Sequence, residues 1–346
     1  MGTEKRVTAR TASAPGWTLA PVTRADTPTK LAAHMGPEHS LAMSVPVALF
    51  VYRRHEQLRR TLACLRDSGI ERLYVFSDGP RDAAAADDVA RVRELVSALD
   101  WIEPVMFART ENLGLSESIR FGLDRLFTDH DTAVVVEDDV CVAPEFYDYA
   151  CRALAHYGDA EHVAGITGLR YPFSRRVLDD YPFDVFLSPR FSSWGWATWK
   201  DRWERFVFDH ATLRRQLAAR SDLRPERAGA DMRWMLEQAV VEESLTGAWD
   251  ASSAANMLLH DLYFVTPTWN MVENSGLLEG THQAGQAPAW RLAWEPEHRP
   301  ELDALRFAPV AEDARVLQAY LKFFALSRRQ TLITAIGRLR HAVAHQ

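Results

Sequence analysis

The sequence predicts an α/β protein whose first half is a mostly parallel, Rossmann-like sheet flanked by helices. Two observations carry this expectation. Between about residues 45 and 160, short apolar runs of strand length alternate with longer segments whose apolar residues recur at helical spacing. The apolar runs carry no polar face, as expected of strands covered by helices on both sides and joined by right-handed crossovers.

Residues 1–44 are rich in Thr, Ala and Pro and show no sustained hydrophobic period, so a disordered N-terminal tail is expected there. Order should begin at Pro46-Val47-Ala48-Leu49-Phe50-Val51-Tyr52, a run suited to a buried strand. A helix with Leu58, Leu62 and Leu65 on one face follows, then the strand Leu73-Tyr74-Val75-Phe76, which ends in Ser77-Asp78-Gly79-Pro80. A helix over about 83–99, with Val89, Val92, Leu95 and Val96, precedes a strand over 104–109. A helix over about 115–127 precedes the most apolar strand, Ala133-Val134-Val135-Val136. Beyond about residue 160 tryptophan is dense, prolines interrupt and strands shorten, so this half is built differently.

With 346 residues the chain can hold two ordinary domains or one large one. A net charge of -7 offers no domain-wide basic field, which argues against a general nucleic-acid binder. Cys64, Cys141 and Cys151 form neither a CxxC pair nor a disulfide framework, which suits a reducing compartment. The N-terminus lacks the apolar core of a signal peptide, and no stretch approaches a membrane span, so a cytoplasmic protein is expected.

In sheets of this kind ligands bind beyond the carboxyl ends of the strands. Tyr52-Arg53, Ser77-Asp78, the segment from Arg109 to Gly114, and Glu137-Asp138-Asp139 all fall at such ends. The acidic triple lies between two β-prone apolar runs. Burying one unpaired carboxylate costs several kcal/mol, and three together repel one another unless a cation or strong donors offset them. A hard divalent ion, Mn²⁺ or Mg²⁺, held by one or two carboxylates and by phosphate oxygens, answers that requirement. The alternative is a solvated acidic turn capping a helix that begins near Pro144.

Val134 to Val140, with Ala143-Pro144-Glu145-Phe146-Tyr147-Asp148-Tyr149, resembles the Glu-Asp-Asp segment of the N-acetylglucosaminyltransferase I family. The chain resembles bacterial family-2-like sugar transferases more nearly. These carry an Asn-Leu-Gly-Leu-Ser segment before the acidic triple and a Ser-Trp-Gly-Trp-Ala-Thr-Trp segment after it. Here they are Asn112-Leu113-Gly114-Leu115-Ser116 and Ser193-Trp194-Gly195-Trp196-Ala197-Thr198-Trp199. The likeness covers about 45–285. It implies a GT-A fold, a nucleotide-sugar donor, for which a uridine nucleotide is the better expectation, and inversion at the anomeric carbon.

The resemblance implies a division into the tail (1–44), a catalytic domain (45–285) and a C-terminal extension (286–346). Within the catalytic domain, 45–160 would bind the nucleotide-sugar and 161–285 the acceptor. Carried over by position, Asp139 would bind the metal, and Glu137 and Asp138 would lie near the donor's ribose and sugar. Asp78 resembles a nucleobase-contacting aspartate and Arg53, beside Tyr52, a donor-site arginine. Their alternatives are a turn or N-cap residue and a surface arginine. Asn112, Leu113, Gly114 and Ser116 have a physical case of their own. Asn and Gly tolerate left-handed backbone, and a helix beginning near Leu115 offers N–H groups to an anion or sugar. The alternative there is an ordinary cap.

An inverting transferase needs one general base. Trp249-Asp250 resembles the Trp-Asp that supplies it in the first family, although Ala251-Ser252-Ser253 follow where another aromatic or acidic residue often stands. Trp249 could desolvate the carboxylate or stack on an acceptor sugar. Glu242 and Glu243 are competitors, and a cap of a helix near Ala251 is the alternative for Asp250. The stretch Asn274-Ser275-Gly276-Leu277-Leu278-Glu279-Gly280-Thr281-His282 resembles the family's donor-covering loop. It places His282 as a candidate for diphosphate or metal, against a solvated loop histidine.

Trp196, Trp199 and Trp203 recur at helical spacing and read as a core stripe. Trp194 stands outside it and is the better sugar-stacking candidate. Arg202 is expected to pair with Asp201, Glu204 or Glu237. From Arg315 on, Arg315, Lys322, Arg328, Arg329, Arg338 and Arg340 occur with no acid among apolar residues. A basic amphipathic helix of this kind lies on an anionic membrane surface or packs on the catalytic domain. The expected acceptor is a carbohydrate, lipid-linked glycan, peptide or small molecule. Competing readings are a sugar nucleotidyltransferase, a dinucleotide oxidoreductase and a non-catalytic glycan- or nucleotide-sugar-binding protein. The first needs a Gly-rich loop where Val51-Tyr52-Arg53-Arg54-His55 stands, and the second a Gly-x-Gly-x-x-Gly that is absent.

Overall fold

The computed structural model describes residues 17–19, 44–241, 249–278 and 293–324. In chain order the first half comprises β1 (Trp17–Leu19), β2 (Val47–Val51), α1 (His55–Asp67), β3 (Leu73–Ser77), α2 (Ala83–Ser97), β4 (Val105–Arg109), α3 (Leu115–Leu126), β5 (Thr132–Glu137), β6 (Val140–Val142) and α4 (Phe146–His156). The second half comprises β7 (Val163–Thr167), β8 (Val185–Ser188), β9 (Trp196–Trp199), α5 (Lys200–Trp203), α6 (His210–Ala219), α7 (Met232–Leu236), α8 (Trp249–Leu259), β10 (Tyr263–Pro267), β11 (Val272–Asn274) and α9 (Ala314–Phe323).

The fold is mixed α/β, with a mostly parallel central sheet flanked by helices. Among the described residues the sheet has nine strands in the order β1-β4-β3-β2-β5-β9-β7-β10-β8. Strands β2 to β5 are parallel neighbours, and β7 and β10 run the same way. β1, β9 and β8 run against them.

Strand alternation explains the two-sided burial. On β2, Val47, Leu49 and Val51 join a core with Leu58, Leu62 and Leu65 of α1 and Val92 and Val96 of α2. Ala48 and Phe50 face the other way, into a core with Ile119, Leu123 and Leu126 of α3. β5 divides likewise, Val134 and Val136 on the first side, Ala133 and Val135 on the second.

Two expectations are corrected, and the expected pairing of Arg202 is found. Trp17–Leu19, inside the expected tail, is a strand paired antiparallel with β4, whose outer edge offered an unpaired row of backbone groups. Trp196, Trp199 and Trp203 recur at helical spacing but do not lie on one helix. Trp196 and Trp199 lie on β9, an odd number of residues apart, so they enter opposite cores, and only Trp203 follows on the short α5. Arg202 is buried and pairs with Asp201 while donating to the Gly158 carbonyl at 2.7 Å, a structural role.

The described part of the basic C-terminal segment, α9, packs on the domain. Val316, Ala319 and Phe324 are buried, and the Arg190 guanidinium lies 3.7 Å from the Phe324 ring centroid. Arg315 and Lys322 remain on its exposed side. Arg328, Arg329, Arg338 and Arg340 lie outside the described residues. Among the described residues no helix is long and apolar enough to cross a membrane.

Candidate active site

β5 ends at Glu137, which sits opposite Phe50 of β2, and the chain turns through Asp138 and Asp139 into β6. The end of β2 therefore supplies the partners of the acidic pair. The Tyr52 backbone N–H donates to Asp138 Oδ2 at 3.0 Å, and Thr61 Oγ1 of α1 donates to the Asp138 carbonyl at 3.0 Å. Arg54 pairs with Asp139 Oδ2 through Nη1, and the same nitrogen lies 3.6 Å from Asp138 Oδ1.

Asp138 and Asp139 are each 6% exposed. Burial, then the Asp139 charge, pushes the Asp138 carboxyl up to about 7, and Arg54 opposes the rise. Burial also raises Asp139, again against Arg54. Half-buried Glu137 is raised well above the usual carboxylate range by desolvation, then by Asp139, Asp138 and Asp250. Asp139 Oδ1 is buried and accepts no hydrogen bond among the described residues.

β11 pairs antiparallel with β6 and carries the chain past this turn. The Ser275 N–H and hydroxyl both donate to the Asp139 carbonyl, at 2.9 and 3.1 Å. Gly276 follows, and a Cβ there would overlap the Asp139 carboxylate, so this approach requires glycine. The expected lid thus begins against the acidic pair. His282, with 279–281 of that loop, lies outside the described residues, as do Glu242 and Glu243.

Asp250 lies in the first turn of α8, exposed, with Oδ1 accepting from the Ala251 N–H at 2.9 Å. Its charge is among those that raise the Glu137 carboxyl, after burial, Asp139 and Asp138. Trp249 corrects an expectation. It is 4% exposed, packed against Phe191 and Trp196 with ring centroids 5.3 and 5.8 Å away, so it anchors α8 in the core rather than offering a sugar platform. Trp194 is half-buried and keeps an accessible part.

Two further expectations change. Asp78 is 5% exposed and accepts from four donors: the N–H groups of Gly79 (2.9 Å), Leu113 (3.0 Å) and Gly114 (2.8 Å), and Asn112 Nδ2 (3.0 Å). These fill an ionised carboxylate's acceptor capacity. Asp78 therefore shapes the 112–114 loop instead of presenting an oxygen to a nucleobase, and the N-cap of α2 is Asp82. Gly114, at φ +83°, ends that loop where α3 begins, leaving Leu113 exposed and Ser116 half-buried in the first turn.

Arg53 is exposed, its guanidinium 5.9 Å from the centroid of the Tyr52 ring, and it does not reach the acidic pair. Arg54, the N-cap of α1, does. Sequence reasoning missed it because two adjacent arginines follow β2 and neither strand nor helix periodicity extends through the turn to choose between them.

Among the described residues no group of three or more His, Cys, Asp and Glu is arranged around one cation position. Asp138 and Asp139 nevertheless fit a hard divalent ion. They are buried oxygen donors, one oxygen lacks a partner, and a positive group is already drawn to the other. Magnesium-type sites need only one or two protein carboxylates when phosphates complete the shell.

No family profile matches the sequence, and no curated protein matches it. Among solved structures, the chain is similar to the mannosyltransferase PcManGT from Pyrobaculum calidifontis in complex with GDP-Man and Mn²⁺. The identity is 13% and the TM-score 0.36, over 62% of this chain and 70% of that one. It is also similar to S. aureus TarS, at 11% identity and TM-score 0.34, over 64% of this chain and 35% of TarS. At these values neither likeness assigns an activity.

Proposed function

We propose that the protein is a GT-A glycosyltransferase that moves a sugar from a nucleotide diphosphate, with UDP-sugars as the first choice of donor, to an acceptor hydroxyl with inversion. One observation carries the reading. A buried aspartate pair, with one oxygen lacking a hydrogen-bond partner among the described residues, stands at the carboxyl end of the central strand β5, and the charge of Asp250 on the first turn of α8 acts on the adjoining Glu137. The motif resemblance in the sequence points the same way.

In this reading Asp139, with Asp138 behind it, holds Mn²⁺ or Mg²⁺. When bound, the ion offsets charge developing on the departing diphosphate. The residues of the chain do the rest. Asp78 fixes Asn112, Leu113 and Gly114 as a rigid wall for the nucleotide, and Tyr52 ties the end of β2 to Asp138. Glu137 lies toward the sugar, and Trp194 offers its accessible edge to a pyranose face. Asp250 accepts the acceptor hydroxyl's proton at a carboxylate oxygen as that hydroxyl attacks. The loop beyond Gly276, with His282, would exclude water that otherwise hydrolyses the donor. The direct experiment is incubation with a panel of UDP-sugars and Mn²⁺, reading released UDP. Metal-dependent release with one donor is expected. No release from any nucleotide-sugar, with or without acceptors, would favour a non-catalytic binding protein.

Two predictions arise here. Gly276→Ala should lower stability modestly, because the buried Asp139 carboxylate must turn away from the new methyl and from Arg54. That turn moves the proposed ligand, so UDP affinity in Mn²⁺ should fall about tenfold or more by calorimetry.

The second concerns pH. Asp138 titrates higher in the folded chain (about 7) than its ordinary 3.8, so the ion-free fold gains stability from the bound proton at low pH. That contribution is full below about 4 and is lost as pH rises through about 7. A divalent ion needs the deprotonated form. The rise in Tm caused by Mn²⁺ should therefore be small at pH 5.5 and clearly larger at pH 8. A pH-independent rise would place the ion elsewhere.

A further inference from the structure

We propose that Arg54 is a built-in counter-cation of the acidic pair, holding it in the ion-free state and giving way when a divalent ion binds. This rests on the reading of Asp138 and Asp139 as the metal-holding residues. One nitrogen of Arg54 meets both carboxylates, at Asp139 Oδ2 and 3.6 Å from Asp138 Oδ1. A divalent ion held by these two carboxylates would draw on the same negative charge that the guanidinium now compensates. Arginine and ion therefore compete for one place.

The competition is uneven. A single guanidinium faces three neighbouring acids, and it leaves Asp139 Oδ1 buried without a hydrogen bond among the described residues. A divalent ion brings twice the charge and several coordination positions. The two partners also differ in freedom. The side chain of Arg54 is 35% exposed, whereas those of Asp138 and Asp139 are 9% and 8% exposed. Asp138 is held by the Tyr52 N–H, and the Asp139 backbone by Ser275. The arginine, on a long side chain at the start of α1, is the member that moves. Displaced from the carboxylates, its guanidinium remains at the edge of the site with a donor set that matches phosphate oxygens. Arg54 thus fills the ion's place in the empty protein and becomes a diphosphate contact in the loaded one.

The test uses the full-length chain, freed of metal, at pH 8, titrated calorimetrically with MnCl₂ alone. Arg54→Met should bind Mn²⁺ about tenfold or more tightly than wild type, because no cation has to be displaced. Its melting temperature without metal should be lower, and the rise on adding Mn²⁺ larger. With saturating Mn²⁺, its affinity for UDP should be about tenfold weaker. Arg54→Lys, which keeps the charge and protects against a folding defect, should fall between the two in Mn²⁺ affinity. Unchanged or weaker Mn²⁺ binding in Arg54→Met, or no Mn²⁺ binding by either protein, would overturn the proposal. Tighter Mn²⁺ binding with no binding of UDP or GDP by wild type would leave the counter-cation standing and defeat the transferase reading instead.

Discussion

Asp139→Asn is expected to lower metal-dependent UDP affinity by at least about 100-fold while the protein still folds. The substitution keeps the side-chain volume and leaves the backbone carbonyl that accepts from Ser275. It removes the negative charge from a carboxylate with a buried, unpartnered oxygen. A neutral amide also relieves the repulsion felt by Asp138 and Glu137, both raised by the Asp139 charge. The melting temperature without metal should accordingly hold or rise, and the stabilisation by Mn²⁺ with UDP should disappear. A loss of binding together with a collapse of the fold would instead make Asp139 a structural residue.

Asp250→Asn should separate chemistry from binding. Removing a general base lowers kcat by about 10²–10⁴-fold, whereas UDP affinity in Mn²⁺ should change by no more than about twofold. The conservative change is suited to the site, since an Asn Oδ1 can still accept from the Ala251 N–H as Asp250 does. Wild-type turnover in this variant would move the base to another carboxylate, with Glu137, on which the Asp250 charge acts, the first candidate. A large drop in UDP affinity would mean that α8 serves the donor rather than the acceptor.

Much of the first half was legible in the sequence because two-sided burial writes a plain pattern. β2 to β5, α2 and α3 fall within two residues of the expected boundaries, and α1 carries the three expected leucines. The position of the acidic triple at the end of the most apolar strand followed from the same pattern. What was not legible depends on distant parts of the chain. The antiparallel β9 lies between β5 and β7, so the three tryptophans sample two cores, which spacing alone does not reveal. Asp78 reads as a nucleobase contact or a turn or N-cap residue until the 112–114 loop, more than thirty positions later, fills its oxygens. Ser275 reaches Asp139 across 136 positions through the pairing of β11 with β6. The choice of Arg54 over Arg53 turns on the direction of two side chains in a short turn, which no periodicity encodes.

The central claim is that the carboxyl end of β5 binds a nucleotide diphosphate through a divalent ion on Asp139. Calorimetric titration of UDP, and in parallel GDP, into the metal-free wild-type chain with Mn²⁺ or with EDTA tests it most directly. The account predicts saturable binding of one nucleotide in Mn²⁺ that vanishes in EDTA. Equal binding in both conditions, or none in either, would contradict it.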